Sequence, residues 1–382
     1  MRIALNMLYL IPSVVGGTES YAVSLVHALA RIGADHEYVV FVSADAAELD
    51  VTPAPNFRRV VCGFAATRRP VRYAWEQVVL PRQLARRRVD VLHSLGYVGP
   101  LLSPCPHVVT IHDLNYLRHG ESMRPVKRRL LRLFVEQSAA RADHILTVSD
   151  FSRREIITEL GIDASRITVA HNAGRAYAAT SGVARADHRD PPPRYATGGA
   201  FIVAFTSQSA HKNIDRLIAA FARLAPTVPH QLVLIGHQPP HSRLEEEAVR
   251  HGIADRVSFV GYVPDDHVLP LMRGADLFVF PSLYEGFGLP VLDAQRVGVP
   301  VVCSSAGALP EVAGQGALLF DPREVDDIAA AMTRGLRDEA LRERLRRDGA
   351  ENLKRFSWTH TARTTLEVYG RCIGRRESAA RA

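Results

Sequence analysis

The chain has 382 residues, 47% of them hydrophobic and 23% charged, with a formal net charge of +7. That length accommodates two ordinary α/β domains, and that balance excludes a disordered or fibrous chain. Four scattered cysteines, Cys62, Cys105, Cys303 and Cys372, form no CxxC or zinc spacing, which excludes a disulfide framework and leads us to expect reduced thiols in the cytoplasm.

The opening run, Ile3–Leu10, could pass for the core of a signal peptide, but Asn6 interrupts it and no small-x-small cleavage site follows. It reads better as a first strand. No uncharged apolar run approaches the roughly 18 residues of a membrane-spanning helix. Gly16-Gly17 comes next, then Thr18, a plausible N-cap for a helix over Thr18–Ile32. A glycine pair by itself fits a plain tight turn. There is no GxGxxG, which argues against a nicotinamide dehydrogenase. Further strands are expected at Tyr38–Val42, Val60–Cys62, Val89–His93, Val108–Ile111 and His144–Val148, with a helix over Pro125–Ala140. Thr110-Ile-His-Asp113 places His112 and Asp113 at the carboxyl edge of the first sheet. A lone His at a strand end is commonly structural, and Asp113 either orients that imidazole or caps the following turn. Ser149 and Asp150 look like capping residues.

Charge is uneven along this half. Between Arg58 and Arg132 fifteen basic residues stand against four acids, a surplus of eleven in a chain whose total is +7. Two clusters dominate: Arg86, Arg87 and Arg88, then Arg124, Lys127, Arg128, Arg129 and Arg132 on a helix with interleaved leucines. Such a face suits an anionic membrane surface or an acidic, lipid-linked acceptor, and equally a solvated basic surface. No nucleic-acid motif or aromatic interleaving accompanies it, so nucleic acid is not an expected partner.

From Tyr177 to Gly199 the chain is rich in Pro, Gly and small polar residues, and 176–199 reads as a linker between domains at 1–175 and 200–357. Strands resume at Phe201–Thr206, Leu232–Ile235, Val257–Val260, Leu277–Phe280, Val299–Cys303 and Ala317–Phe320. Two doubly wound α/β domains are the economical arrangement. His211-Lys-Asn213 opens the first helix of the second domain, with Asn213 as its N-cap. Lys212 is one of three lysines in an arginine-rich chain, and its compact ammonium fits a diphosphate as a point charge. Upstream, Ser207 and Ser209 offer hydroxyls but no second positive charge. Gly261-Tyr-Val-Pro264 is a turn after a strand, and Glu311 is a helix-start acid. After Phe356-Ser-Trp a last helix, 358–374, is expected with Ser357 as its cap, followed by a disordered tail over 375–382.

The segment from Pro281 to Asp293 is the most informative. It leaves the Leu277–Phe280 strand and enters a helix running from Leu289 to near Gly298. Glu285 therefore sits on the loop before the helix, and Asp293 about one turn inside it. A helix start offers free N–H groups and a positive dipole end, suited to phosphate or sugar oxygens. Gly286 and Gly288, flanking Phe287, let a ligand approach the backbone. Two carboxylates aimed at one place can hold vicinal hydroxyls, which points to a sugar-nucleotide site.

This segment resembles the Glu-x7-Glu signature of retaining GT-B glycosyltransferases of family four, and residues 1–374 follow that family's order of motifs. The Thr-Ile-His-Asp and His-Lys-Asn variants look most like bacterial mannosyl- or rhamnosyl-type transferases of surface polysaccharide assembly. The resemblance implies two Rossmann-like domains facing a central cleft, with the terminal helix crossing back to the first domain and Trp358 at the hinge. It implies that Gly16 and Gly17 approach the donor phosphates, that His112 lies beside the donor sugar, and that Lys212 stabilises the leaving group, with Ser207 nearby. Glu285 and the amides of Gly286, Phe287, Gly288 and Leu289 would hold the donor sugar. Asp293, a methylene (about 1.5 Å) shorter than the family glutamate, would hold the ribose diol. The implied activity is retaining hexosyl transfer from a nucleotide diphosphate sugar, GDP-mannose favoured, to a glycan or lipid-linked acceptor. No Asp-x-Asp and no metal-ligand spacing occurs, so transfer without metal or cofactor is expected, with fixed positive groups neutralising the leaving diphosphate. The expected location is the cytoplasm, at the inner face of the membrane. A sugar-nucleotide epimerase or hydrolase of the same fold, or a non-catalytic glycan-binding partner, stays open.

Overall fold

A computed structural model describes residues 1–12, 16–118, 125–175, 199–207, 209–237, 239 and 241–381. Except for Gly199, the linker read over 176–199 lies outside them, as does Arg124; for Lys127 only the helical backbone is described. The chain divides into two compact units, one of Met1–Ala173 with Ser357–Ala382, the other of Gly174–Phe356.

The first unit carries β1 (Arg2–Asn6), β2 (Glu37–Ser43), β3 (Phe57–Cys62), β4 (Val91–Ser94), β5 (His107–Ile111), β6 (His144–Thr147) and β7 (Ile167–Val169). They form one sheet in the order β3-β2-β1-β4-β5-β6-β7, every pair parallel. Parallel neighbours need crossover helices, and helices on both faces demand apolar side chains on both faces of each strand. β2, Glu-Tyr-Val-Val-Phe-Val-Ser, is accordingly buried at every residue but the first. β1 stops at Asn6 and not at Leu10, because Asn6 Oδ1 accepts the Leu8 N–H at 3.3 Å and turns the chain. The following helix spans Gly17–Ile32, with Gly16 at φ 57° in the cap position and no side-chain cap, so Thr18 lies inside the helix and not at its cap. The Asp150–Leu160 helix is capped as its sequence suggests. Ser149 accepts the Ser152 N–H at 3.0 Å, and Gly161 ends the helix in the left-handed region.

The terminal helix belongs to this first unit and packs along Gly17–Ile32. Its Thr361 hydroxyl donates to the His171 carbonyl at 2.6 Å, and its Tyr369 hydroxyl meets His93 Nδ1 at 2.6 Å. It spans Trp358–Arg381. The disordered tail expected after Gly374 is therefore corrected: Arg375 to Arg381 contains good helix formers and no proline, and Ser378 Oγ donates back to the Gly374 carbonyl.

The second unit carries β8 (Phe201–Phe205), β9 (Gln231–Ile235), β10 (Val257–Gly261), β11 (Leu277–Phe280), β12 (Val301–Ser304) and β13 (Leu318–Phe320). Their order is β10-β9-β8-β11-β12-β13, again all parallel. Alternation along β11 divides its four apolar side chains between two cores. Leu277 and Val279 join Phe221, Met332 and their neighbours on one face, while Phe278 and Phe280 join Leu271, Val291 and Leu309 on the other. Each fully buried side chain of this kind contributes about 1.5–3 kcal/mol by leaving water. Leu289–Val297 begins at Gly288 with Pro290 in its first turn and ends at Gly298, φ 76°, whose N–H reaches back to Ala294 and Gln295.

Candidate functional site

Both sheets reverse direction of growth at their first strand. In the first unit the reversal lies between β1 and β4, in the second between β8 and β11. The segments leaving the carboxyl ends of such a strand pair diverge to opposite sides and leave a crevice, where ligands of doubly wound sheets bind.

In the second unit the described residues of those segments are 206–207 and 209–212, after β8, and 281–289, after β11. They are fastened together at their base: Leu283 N–H donates to the His211 carbonyl at 2.7 Å. Asn213 braces the same place. It adopts the left-handed region, φ 59°, which asparagine tolerates, and its Nδ2 donates to Pro281 O at 3.0 Å and Pro322 O at 2.7 Å. The N-cap bond expected of Asn213 is therefore absent, because its amide is turned to these carbonyls.

On this base stand Lys212 and Glu285, which the fold brings together with Nζ 2.7 Å from Oε1. The ammonium also lies 5.3 Å from the centroid of the Phe280 ring. Their side chains are 23% and 15% exposed, so the pair is reachable by a ligand yet partly shielded from water. Glu285 is held by its backbone: its carbonyl accepts the Ala308 N–H at 3.0 Å, and Gly307, φ 66°, packs directly against it. A Cβ on Gly307 would stand 2.8 Å from both Glu285 N and Glu285 O. Sequence reading missed Gly307 and the bracing role of Asn213, since one is a lone glycine in a loop and the other passed for a cap.

The glycines expected near the donor have distinct settings. Gly288 has φ 109°, and a Cβ there would stand 2.6 Å from Leu309 Cδ2, so both conformation and space require glycine. Phe287 is buried edge-on against Phe356, Leu289 is buried at the helix start, and Gly286 lies between Glu285 and Phe287. Ser207 Oγ accepts the Ser209 N–H at 3.2 Å and shapes the loop before Lys212. Asp293 is fully buried; Arg175 donates its backbone N–H to Oδ1 at 3.0 Å and presents Nε 3.3 Å from Oδ2. Burial raises its pKa, and Arg175 opposes that shift.

In the first unit, Gly16 and Gly17 begin the helix after β1, and a Cβ on Gly16 would meet nothing within 4 Å. His112 follows β5 and is 6% exposed. Its Nε2–H donates to the Leu95 carbonyl at 3.0 Å, which leaves Nδ1 as the acceptor. The Tyr21 ring meets it edge-on at 4.7 Å. Burial lowers its pKa to about 4, so it is a neutral imidazole at physiological pH. Asp113 caps the next turn: Oδ1 accepts the Asn115 N–H at 3.0 Å and the Tyr97 hydroxyl at 3.2 Å.

The described residues of the basic clusters lie on, or directly after, two helices of this unit. Arg86 ends the Arg69–Arg86 helix, followed by Arg87 and by Arg88 at φ 51°. In the Pro125–Arg141 helix, Arg128 donates to the Leu117 carbonyl, Arg132 pairs with Glu136, and Arg129 is exposed beside half-exposed Leu130 and Leu133.

Comparison with known proteins identifies the family and the fold. Residues 192–352 match the family model described as glycosyl transferases group 1, and residues 15–173 match that of glycosyltransferase family 4. The O-antigen chain mannosyltransferase B of Escherichia coli is 33% identical over 268 residues, 69% of each chain. The MMP alpha-(1->4)-mannosyltransferase of Mycolicibacterium hassiacum is 33% identical over 319 residues, 77% of this chain and 74% of that one. Serotype-specific mannosyltransferase WbdA of E. coli is 31% identical over 61% of this chain, which is 29% of that longer protein. Among solved structures, sucrose-phosphate synthase from Thermosynechococcus elongatus superposes with a TM-score of 0.73 at 21% identity, covering both chains whole. Anabaena HepE in complex with UDP and glucose gives 0.71 at 20% identity, over 97% of this chain and 99% of that one. These two likenesses establish the fold.

Proposed function

Since the chain belongs to the family-four glycosyltransferases and is a hexosyltransferase of GT-B fold, we propose that it moves mannose, with retention of configuration and without a metal ion, from GDP-mannose to a hydroxyl of a glycan or lipid-linked acceptor. The observation that carries this reading is the Lys212–Glu285 pair at the switch point of the second sheet. An acid beside an ammonium suits a substrate that joins a hydroxyl-rich ring to a diphosphate: the carboxylate accepts from sugar hydroxyls while the ammonium meets phosphate oxygens. As the glycosidic bond breaks, charge grows on the diphosphate. Lys212 and the N–H groups at the start of Leu289–Val297 would be the positive groups that meet it. Glu285, Gly286, Phe287, Gly288 and Leu289 would hold the sugar, and Ser207 and Gly16-Gly17 the phosphates. His112 adds an uncharged acceptor for a sugar hydroxyl, with Asp113 on the acceptor side. The mannose donor is supported by the names of the mannosyltransferase relatives.

Among the described residues no helix is long and apolar enough to cross a membrane. Arg86, Arg87, Arg88, Arg124, Lys127, Arg128, Arg129 and Arg132, with Leu130 and Leu133, would instead rest the protein on the anionic inner face of the cytoplasmic membrane.

The test is incubation of purified protein with a panel of nucleotide sugars and extracted lipid acceptors. Transfer that needs both substrates is expected, with the anomeric configuration of the product read by NMR. Donor consumed without acceptor would instead identify a hydrolase or epimerase, and inverted product would overturn the retaining assignment. Activity lost in EDTA and restored by magnesium would overturn metal independence.

A further inference from the structure

The acid that family likeness assigns to the ribose is walled in. Asp293 is 0% exposed. Its Oδ1 accepts the Arg175 N–H, and Gly174 lies so close that a Cβ there would stand 3.2 Å from that oxygen. Its Oδ2 faces Arg175 Nε at 3.3 Å and has no hydrogen bond among the described residues. Arg175 is held on further sides. Its carbonyl accepts from Arg296 Nη1 at 2.7 Å, and its guanidinium lies 5.8 Å from the Phe205 ring centroid, at the carboxyl end of β8. Its Nη1 donates to Asp265 Oδ1 at 2.7 Å. Asp265 is the exposed member of this chain of charges, its side chain 68% exposed.

A buried carboxylate thus backs a guanidinium, and the guanidinium meets a second carboxylate at the surface. A vicinal diol needs both kinds of partner, since each hydroxyl donates one proton and accepts through its lone pairs. Carboxylate oxygens only accept and guanidinium N–H groups only donate, so an Asp–Arg pair offers the diol both. Three residues before Asp265, the 56% exposed ring of Tyr262 gives a heteroaromatic base a flat surface in the same segment.

Resting on the reading that the second unit holds a nucleotide sugar, we infer that the Asp265–Arg175 pair receives the ribose diol, and that Asp293 is a positioning residue that orients Arg175 from behind. The shorter acid is then no defect. Arg175 supplies the reach to the surface that a glutamate at this position would have provided itself.

The test is calorimetric titration of the full chain with GDP, UDP and ADP and with their 2′-deoxy and 3′-deoxy forms, following the base that binds most tightly. The wild type is expected to lose tenfold or more in affinity when a ribose hydroxyl is removed. In Asp265→Ala, an exposed change that leaves the fold intact by melting curve, the ribonucleotide should fall to the level of the deoxy form, while deoxy binding moves less than twofold. Arg175→Lys, which keeps the charge but loses the fork, should lose most of the same discrimination. If Asp265→Ala discriminates as well as the wild type, or the wild type does not discriminate at all, the diol assignment is overturned while nucleotide binding stands. If no nucleoside diphosphate binds the wild type, the nucleotide-sugar reading itself falls.

Discussion

The two switch points share a topology but are furnished in opposite ways. At the end of the first sheet, burial removes charge. His93 and His112 are enclosed and driven down to about 3 and about 4, so both are neutral at physiological pH. Both meet neutral partners: His93 meets Thr110 and Tyr369, and His112 meets the Leu95 carbonyl through Nε2. Glu76, beside Asn6 at the end of β1, is pushed up to about 7 by burial, with Arg72 opposing the shift from 3.9 Å. At the end of the second sheet, charges meet as partly exposed ion pairs, Lys212 with Glu285 and Arg175 with Asp265. A neutral, hydrogen-bonding surface suits an uncharged hydroxyl nucleophile, and an ionised one suits a diphosphate. The proposed division of labour, with the acceptor on the first unit and the donor on the second, rests on this difference in where each unit tolerates ionisation.

The largest expected effect tests the charged side. Glu285→Ala and Lys212→Ala should each lower kcat about a hundredfold to a thousandfold, the scale of removing a group that acts on developing charge. Their melting temperatures should stay close to wild type, because a partly exposed pair contributes at most about 1 kcal/mol to folding. Full turnover in either variant would remove that residue from the mechanism.

The neutral side is tested by Glu76→Gln. The native carboxyl holds its proton up to about pH 7, whereas the unfolded one releases it near 4.5. Below pH 4.5 both states are protonated and the group is silent. Between 4.5 and 7 the unfolded state loses its proton first, so stability falls as pH rises, by about 3 kcal/mol in all. Glutamine has no such titration. Denaturant melts across this window should therefore show the variant gaining on the wild type as pH rises, and parallel curves would contradict the neutral-surface account.

Gly307→Ala sharpens the comparison by moving Glu285 without changing its chemistry. The added methyl meets backbone at 2.8 Å and also strains a positive φ, at about 1–3 kcal/mol. A roughly tenfold loss of kcat is expected together with a lowered melting temperature. Normal kcat in a destabilised protein would show that the position of the Glu285 backbone is not critical. The smallest effect concerns His112. Because it is neutral above about pH 5, the pH–rate profiles of the wild type and of His112→Gln should run parallel from pH 6 to 8, offset by a constant factor. An inflection that the variant loses would show that the imidazole titrates during turnover.

Much of this was legible in the sequence because the chemistry follows apolar strands. Lys212 and Glu285 are 73 residues apart, yet each lies a few residues beyond a strand whose uninterrupted Val/Phe/Ile pattern marks a parallel sheet interior, so both could be placed at one edge. What escaped was contact between loops. Arg175 meets Asp293 across 118 residues, and no periodicity encodes such a meeting. Asn213 looked like a cap because its type and position fit one, and only the carbonyls of Pro281 and Pro322 show where its amide goes. Asn6 ended a strand that hydropathy alone would have prolonged. The helix beyond Gly374 was missed because chain ends are commonly frayed, whereas the seven residues that follow are all compatible with a helix.

The first unit takes its closing helix from the far end of the chain, so residues 174–356 are an insertion within it. During synthesis this has a temporal result. The inserted unit is complete as soon as Phe356 has left the ribosome, while the first unit still lacks Tyr369, the partner of His93. A premature stop after Phe356 should therefore release a polypeptide with a finished half and an unfinished one, and limited proteolysis should digest the N-terminal residues first.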